Sequence, residues 1–128
     1  MEGLMQIKCG TDIIEIERIK QSIEKSSKSF INKIYTKNEI EYCETKGKQK
    51  FQHYAARFAA KEAIFKAISE TLKNKYELDW KDYEIICDSD GKPKININRI
   101  NTENIENIDI SLSHCKKYAV ATVIAIIK

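Results

Sequence analysis

The run from Tyr54 to Ile68 contains no Gly or Pro and is rich in Ala, Lys and Glu. Such a composition makes it helical before any tertiary contact is considered. Wound at about 100° per residue, it presents three unlike sides. Ala56, Ala60, Ala63 and Ala67, with Ala59 beside them, make a strip of small residues that another backbone can approach closely. Phe58, Ile64, Phe65, Ile68 and Leu72 make a bulky apolar side, and Glu62, Lys66, Ser69 and Lys73 a narrow polar seam. A helix that buries two sides and leaves a thin seam is a core helix, and the remainder of the chain has to wrap it.

The charges on this helix admit two readings. Glu62 and Lys66 are spaced as an i,i+4 pair worth a few tenths of a kcal/mol, roughly. Arg57 and Lys61 project near the bulky side, where a long cation must snorkel or find an anion. A row of Arg57, Lys61 and Lys66 flanking one carboxylate suits a phosphate-rich ligand held partly through a metal.

Ahead of the helix, Met5, Ile7 and Cys9 alternate with Gln6 and Lys8, a short strand ended by Gly10. Asp12 is then expected at a strand-to-helix junction, before Ile16, Ile19 and Ile23 at helical spacing. With Glu15 it fits capping-box spacing, so cap and functional carboxylate both stay open. Glu17, Arg18, Lys20, Gln21 and Lys25 fall on the solvent side of this first helix, a basic face able to dock an acidic protein. Phe30, Ile31 and Ile34 form an apolar turn, and Thr36 with Glu39 is a capping box opening a helix to about Thr45. Lys46, Gly47, Lys48 and Lys50 read as a solvated linker before a central helix from about Phe51 to Lys73.

Beyond Tyr76 the period becomes two. Tyr83 to Cys87 and Lys94 to Asn98 read as a hairpin around Asp90-Gly91, because Gly tolerates positive φ. Asn98 to Asn107 is a surface loop or carries a short helix from Thr102. Ile108, Ile110, Leu112 and His114 share one strand face, and Tyr118 to Ile127, apolar on both faces, reads as a fully buried strand. The layout is α+β: a long central helix packed against a curved, mainly antiparallel sheet, in a single domain spanning 1–128.

A net charge of +3 tolerates acidic partners without arguing for nucleic acid. Cys9, Cys43, Cys87 and Cys115 have no CxxC spacing and are expected as reduced thiols of a cytoplasmic protein. No basic head precedes a long apolar run, and no stretch is long enough to span a bilayer. Ser111 and Ser113 lack the elbow of a serine hydrolase, and there is no Gly-rich phosphate loop.

Three segments together resemble the holo-[acyl-carrier-protein] synthases, the small phosphopantetheinyl transferases: Gly10 to Ile19, Ala56 to Ala67, and Ile110 to His114. Phe30 to Glu39 and the turn Asp90-Gly91-Lys92-Pro93 match in the same order, so the likeness runs nearly end to end. It implies transfer of the 4′-phosphopantetheine arm of coenzyme A to a serine of an apo acyl carrier protein, in support of fatty acid biosynthesis. Adenosine 3′,5′-bisphosphate leaves. It further implies a homotrimer with active sites at subunit interfaces. Carried over by position, Asp12 and Glu62 match ligands of a Mg²⁺ on the coenzyme diphosphate, and Lys66 the lysine beside that diphosphate. Arg57, Lys61 and His114 match further coenzyme-binding positions, and Arg18 a first-helix arginine facing the carrier. Asp12, or a metal-bound water it orients, would take the serine proton, with Lys66 stabilising or protonating the departing phosphate.

The sequence departs from the family where a Gly-Thr-Gly loop is usual. Ile68-Ser69-Glu70-Thr71 stands there instead, and Cys115 replaces a common Thr. The competing expectation is a non-catalytic module whose basic first helix binds an acidic protein or nucleic acid, weakened by salt and indifferent to divalent metal. A carrier from a polyketide or peptide synthase is the alternative acceptor.

Overall fold

The structure is a computed structural model that describes residues 4–26, 28–72, 78–98 and 102–128. Its elements run β1 (Gln6–Glu15), α1 (Ile16–Ser26), α2 (Lys28–Ile34), α3 (Lys37–Glu44), α4 (Lys50–Ile68), β2 (Tyr83–Cys87), β3 (Pro93–Ile97), β4 (Ile105–His114) and β5 (Tyr118–Ile127). β5 lies between β1 and β4, antiparallel to both, while β2 and β3 form a separate hairpin.

The core helix α4 is enclosed on most sides, with Ala59, Ala60, Ala63 and Ile64 fully buried. Its C-terminal half packs on the β1–β5–β4 sheet and on β2; its N-terminal half packs against α1, α2 and α3. The alanine strip meets β1 at Gly10. A Cβ there would stand 2.1 Å from the Ala63 carbonyl oxygen, so only glycine permits this approach. The α-helix ends at Ile68 and a 3-10 turn covers Ser69–Thr71. The glycine-free stretch therefore tightens into one more turn, and Lys73 lies outside the described residues.

β1 does not stop at Gly10. It continues to Glu15, because Thr11, Ile13 and Ile14 are β-branched and β5 supplies a full ladder beside them. Asp12 is thus a mid-strand residue opposite Ala121, not a helix cap. α1 starts at Ile16, whose N–H donates to the Lys117 carbonyl at 2.8 Å. The Thr36 capping box forms as expected, with Thr45 as C-cap of α3. Gly91 takes φ 82° in the β2–β3 turn. After a turn at Glu103 and Asn104, the chain enters β4 at Ile105, with no helix after Thr102 among the described residues.

β5 is not buried on both faces. Ala119, Ala121, Val123, Ala125 and Ile127 are buried, whereas Tyr118, Thr122 and Ile124 are exposed. With Ile7 75% and Ile13 61% exposed on β1, and Ile124 49% exposed on β5, the outer face of these two strands carries bare apolar side chains in the single chain, while β4 adds Asn107, Asp109, Ser111 and Ser113. All four cysteines are free. Among the described residues no helix is long and apolar enough to cross a membrane.

Candidate active site

Alternation along β1 turns Lys8, Gly10, Asp12 and Ile14 toward α4. Because Gly10 lets the strand sit against Ala63 and Ala67, Asp12 arrives beside the polar seam of the helix. Lys66 Nζ donates to Asp12 Oδ1 at 3.1 Å and to the Thr11 carbonyl at 3.0 Å. Glu62, one turn before Lys66, is half-buried. Burial first, and then the nearby Asp12 carboxylate, push its carboxyl above the usual range, with Lys66 opposing. Two carboxylates and one ammonium from segments distant in sequence therefore share one site.

Two hard oxygen donors held against each other's charge suit a divalent cation, which would relieve the repulsion from Asp12 that adds to the effect of burial on Glu62. Among the described residues no group of three or more His, Cys, Asp or Glu could cage an ion. The pair Asp12 and Glu62 is a donor set that Mg²⁺ would accept, since that ion takes one or two carboxylates and completes its octahedron with waters and substrate phosphate oxygens.

The expected row of cations along α4 divides. Lys66 faces the carboxylates, but Lys61 points the other way and is fully buried. Its ammonium lies 2.9 Å from Glu39 Oε1 and donates to the carbonyls of Trp80 and Tyr83. Its three donors are spent inside the chain, so in this structure Lys61 braces α4 against α3 and β2 and has no N–H left for a ligand. Burial lowers its pKa, with Glu39 countering. Arg57 is buried as well, its guanidinium 4.1 Å from the Tyr42 ring centroid and its Nη2 on the Cys87 thiol. Lys46 and Lys50, expected as linker, are engaged too: Lys46 lies over Tyr42, and Lys50 opens α4 and pairs with Glu44.

Sequence reasoning passed over Glu39 as more than a cap. One oxygen accepts from Thr36 N and faces Lys61; the other accepts from Ile85 N, all at 2.9 Å. Only the capping-box bond has a local signature. His114 ends the inward face of β4, exposed, with its ring 6.3 Å from that of His53 on α4. Arg18 is exposed on α1. Beside Glu62, a cleft of about 330 Å³ is walled by Phe65, Leu78, Trp80 and Tyr83.

A family model described as the 4′-phosphopantetheinyl transferase superfamily matches residues 8–123. The chain belongs to this superfamily. Among curated phosphopantetheinyl transferase relatives, the holo-[acyl-carrier-protein] synthase of Ruminiclostridium cellulolyticum is 44% identical over 91% of this chain and 90% of its own length. That of Protochlamydia amoebophila is 42% identical over 91% and 95%. Among solved transferases, the holo-(acyl-carrier-protein) synthase of Bacillus anthracis in complex with CoA (3′,5′-ADP) superposes with a TM-score of 0.78 at 33% identity, over 98% of this chain and 100% of the other. The Helicobacter pylori holo-[acyl-carrier-protein] synthase in complex with coenzyme A gives 0.79 at 28% identity, over 91% and 98%.

Proposed function

We infer that the chain is a holo-[acyl-carrier-protein] synthase. It transfers the 4′-phosphopantetheine arm of coenzyme A to a serine hydroxyl of apo acyl carrier protein and releases adenosine 3′,5′-bisphosphate, in the cytoplasm and in support of fatty acid biosynthesis. The observation that carries the residue assignment is the meeting of Asp12 and Lys66 at 3.1 Å beside Glu62, on a chain whose relatives are this synthase.

Asp12 and Glu62 are the residues that would hold Mg²⁺, and the bound ion supplies charge neutralisation on the diphosphate. The chain's own groups supply positioning and proton handling. Asp12 accepts the serine proton as the serine oxygen bonds to the phosphorus of the pantetheine phosphate. The bond to the adenosine 5′-phosphate breaks in line, and Lys66 neutralises or protonates that departing oxygen. Arg57 and His114 bind the coenzyme away from the reacting phosphate. Lys61 serves through its ion pair with Glu39, which fixes the helix that carries Glu62. Arg18, exposed on α1, meets the acidic carrier.

The exposed isoleucines on the outer face of β1 and β5 support assembly into a homotrimer, since a patch with Ile7, Ile13 and Ile124 this exposed needs a cover. Light scattering on the native protein, and on Ile13→Glu with Ile124→Glu, tests that. A monomer in both discards the trimer.

The activity test incubates the protein with coenzyme A, MgCl₂ and an apo carrier and follows the carrier's mass. A gain of one phosphopantetheine arm, abolished by a chelator, is expected. No gain on any carrier, fatty acid or polyketide, would leave only the binding module.

A further inference from the structure

The cleft beside Glu62 is apolar over much of its wall, where Phe65, Leu78 and Trp80 stand. Two of its polar groups are already engaged. Lys61 gives its ammonium to Glu39 and to the carbonyls of Trp80 and Tyr83. Asp79 accepts from Lys81 N at 3.3 Å as the cap of the turn Trp80–Asp82. Two others are left over. The Tyr83 side chain is buried, and its hydroxyl has no hydrogen-bond partner. No ion pair holds Glu62 among the described residues, because Lys66 reaches to Asp12 and the Thr11 carbonyl instead. An unpaired donor and an unpaired carboxylate thus line one cleft.

A buried hydroxyl without an acceptor is unfavourable and calls for an explanation. Burial first, and then the charges of Asp82 and Glu62, push the Tyr83 phenol well above its usual range, so it stays a donor at neutral pH. Its place is fixed. The bond from Lys61 to the Tyr83 carbonyl ties the start of β2 to α4 one residue before Glu62. We propose that Tyr83 is a positioning residue, whose hydroxyl donates to one oxygen of Glu62 as that carboxylate grips a divalent cation with the other. The inference rests on the reading of Asp12 and Glu62 as the residues that hold the metal. A carboxylate ligand whose free oxygen is hydrogen-bonded is held in its gripping orientation, and such partners contribute to metal affinity. The same donor favours the ionised carboxylate, against the burial and the Asp12 repulsion that oppose its charge.

Tyr83→Phe removes the hydroxyl and keeps the ring. Mn²⁺ serves as the probe, its free signal in electron paramagnetic resonance reporting binding to the protein supplied with coenzyme A and no carrier. The variant is expected to bind Mn²⁺ about tenfold more weakly than the native protein. Its metal-free Tm should equal or exceed the native value, since no hydrogen bond is lost, and Mn²⁺ should raise that Tm by less. Transfer should need more Mg²⁺ to reach half its maximum and recover the native rate at saturating Mg²⁺. In Glu62→Asp, whose shorter side chain withdraws from Tyr83, adding Tyr83→Phe should change Mn²⁺ affinity no further. Equal Mn²⁺ affinity in the native protein and Tyr83→Phe would overturn the proposal. So would a loss of metal-free coenzyme binding in the variant, which assigns the hydroxyl to the ligand. A native protein that binds no Mn²⁺ beside coenzyme A would end the metal reading of Glu62, and this role for Tyr83 with it.

Discussion

Lys66 Nζ lies 3.1 Å from Asp12 Oδ1 across 54 residues of sequence, and the contact exists because Gly10 brings β1 against Ala63 and Ala67. The meeting of Asp12, Glu62 and Lys66 is thus a by-product of a packing solution. A strip of alanines and one glycine set the strand-to-helix spacing, and the alternation of β1 does the aiming.

Removing the ammonium tests its share of the chemistry. Lys66→Ala should leave the fold intact, since the side chain is half-exposed, and lower turnover about a hundredfold. Lys66→Arg should restore it only in part, because a planar fork cannot occupy the place of a point charge. Normal coenzyme binding with unchanged turnover would take Lys66 out of the mechanism.

Glu62 links activity to stability with opposite signs. Its folded-state pKa lies above the unfolded one, through burial and then Asp12. Its charge therefore weakens the fold as pH rises through the folded value, and costs nothing below the unfolded value, near about 4.3. Glu62→Gln is expected to raise Tm slightly at about pH 7, to leave it unchanged at about pH 4, and to abolish transfer. Paired melts at the two pH values decide it, and a lower Tm at neutral pH contradicts the sign.

Gly10→Ala places a methyl 2.1 Å from one backbone atom of α4 and 2.9 Å from another, the Ala67 nitrogen. Neither atom can rotate away, so the strand must retreat. Urea denaturation should show a loss of about 1 to 3 kcal/mol, with transfer reduced further as Asp12 leaves Lys66. A variant with native stability and activity would mean that strand and helix can separate freely.

Glu39→Gln strands the Lys61 ammonium in the interior, where burial already lowers its pKa and Glu39 is the chief group opposing that. The expected loss is about 3 to 5 kcal/mol. Adding Lys61→Met should recover a large part of it, so a double-mutant cycle reports strong coupling. Additive losses would show that the two side chains act independently.

Much of this was legible residue by residue. The helicity of α4, its alanine strip, the Thr36 capping box, the turn at Gly91 and the span of β5 all follow from signals within a few positions of one another. The polar seam of Glu62 and Lys66 was legible for the same reason, and the matched motifs carried Asp12 to it before any contact was known.

What the chain's own order could not convey was what lies across from each side chain. A helical wheel assigns Lys61 a direction, but not the Glu39 carboxylate waiting there, 22 residues upstream. Likewise Gly10 looked like a strand end, and only the ladder with β5 made it the middle of one, pressed against α4. The bare outer face of β5 and the cations around Tyr42 arise in the same way, from which surfaces the tertiary structure pairs and which it leaves. Local periodicity sets where a side chain points, because backbone geometry repeats every few residues. Its partner is set by long-range packing, which no short window of sequence contains.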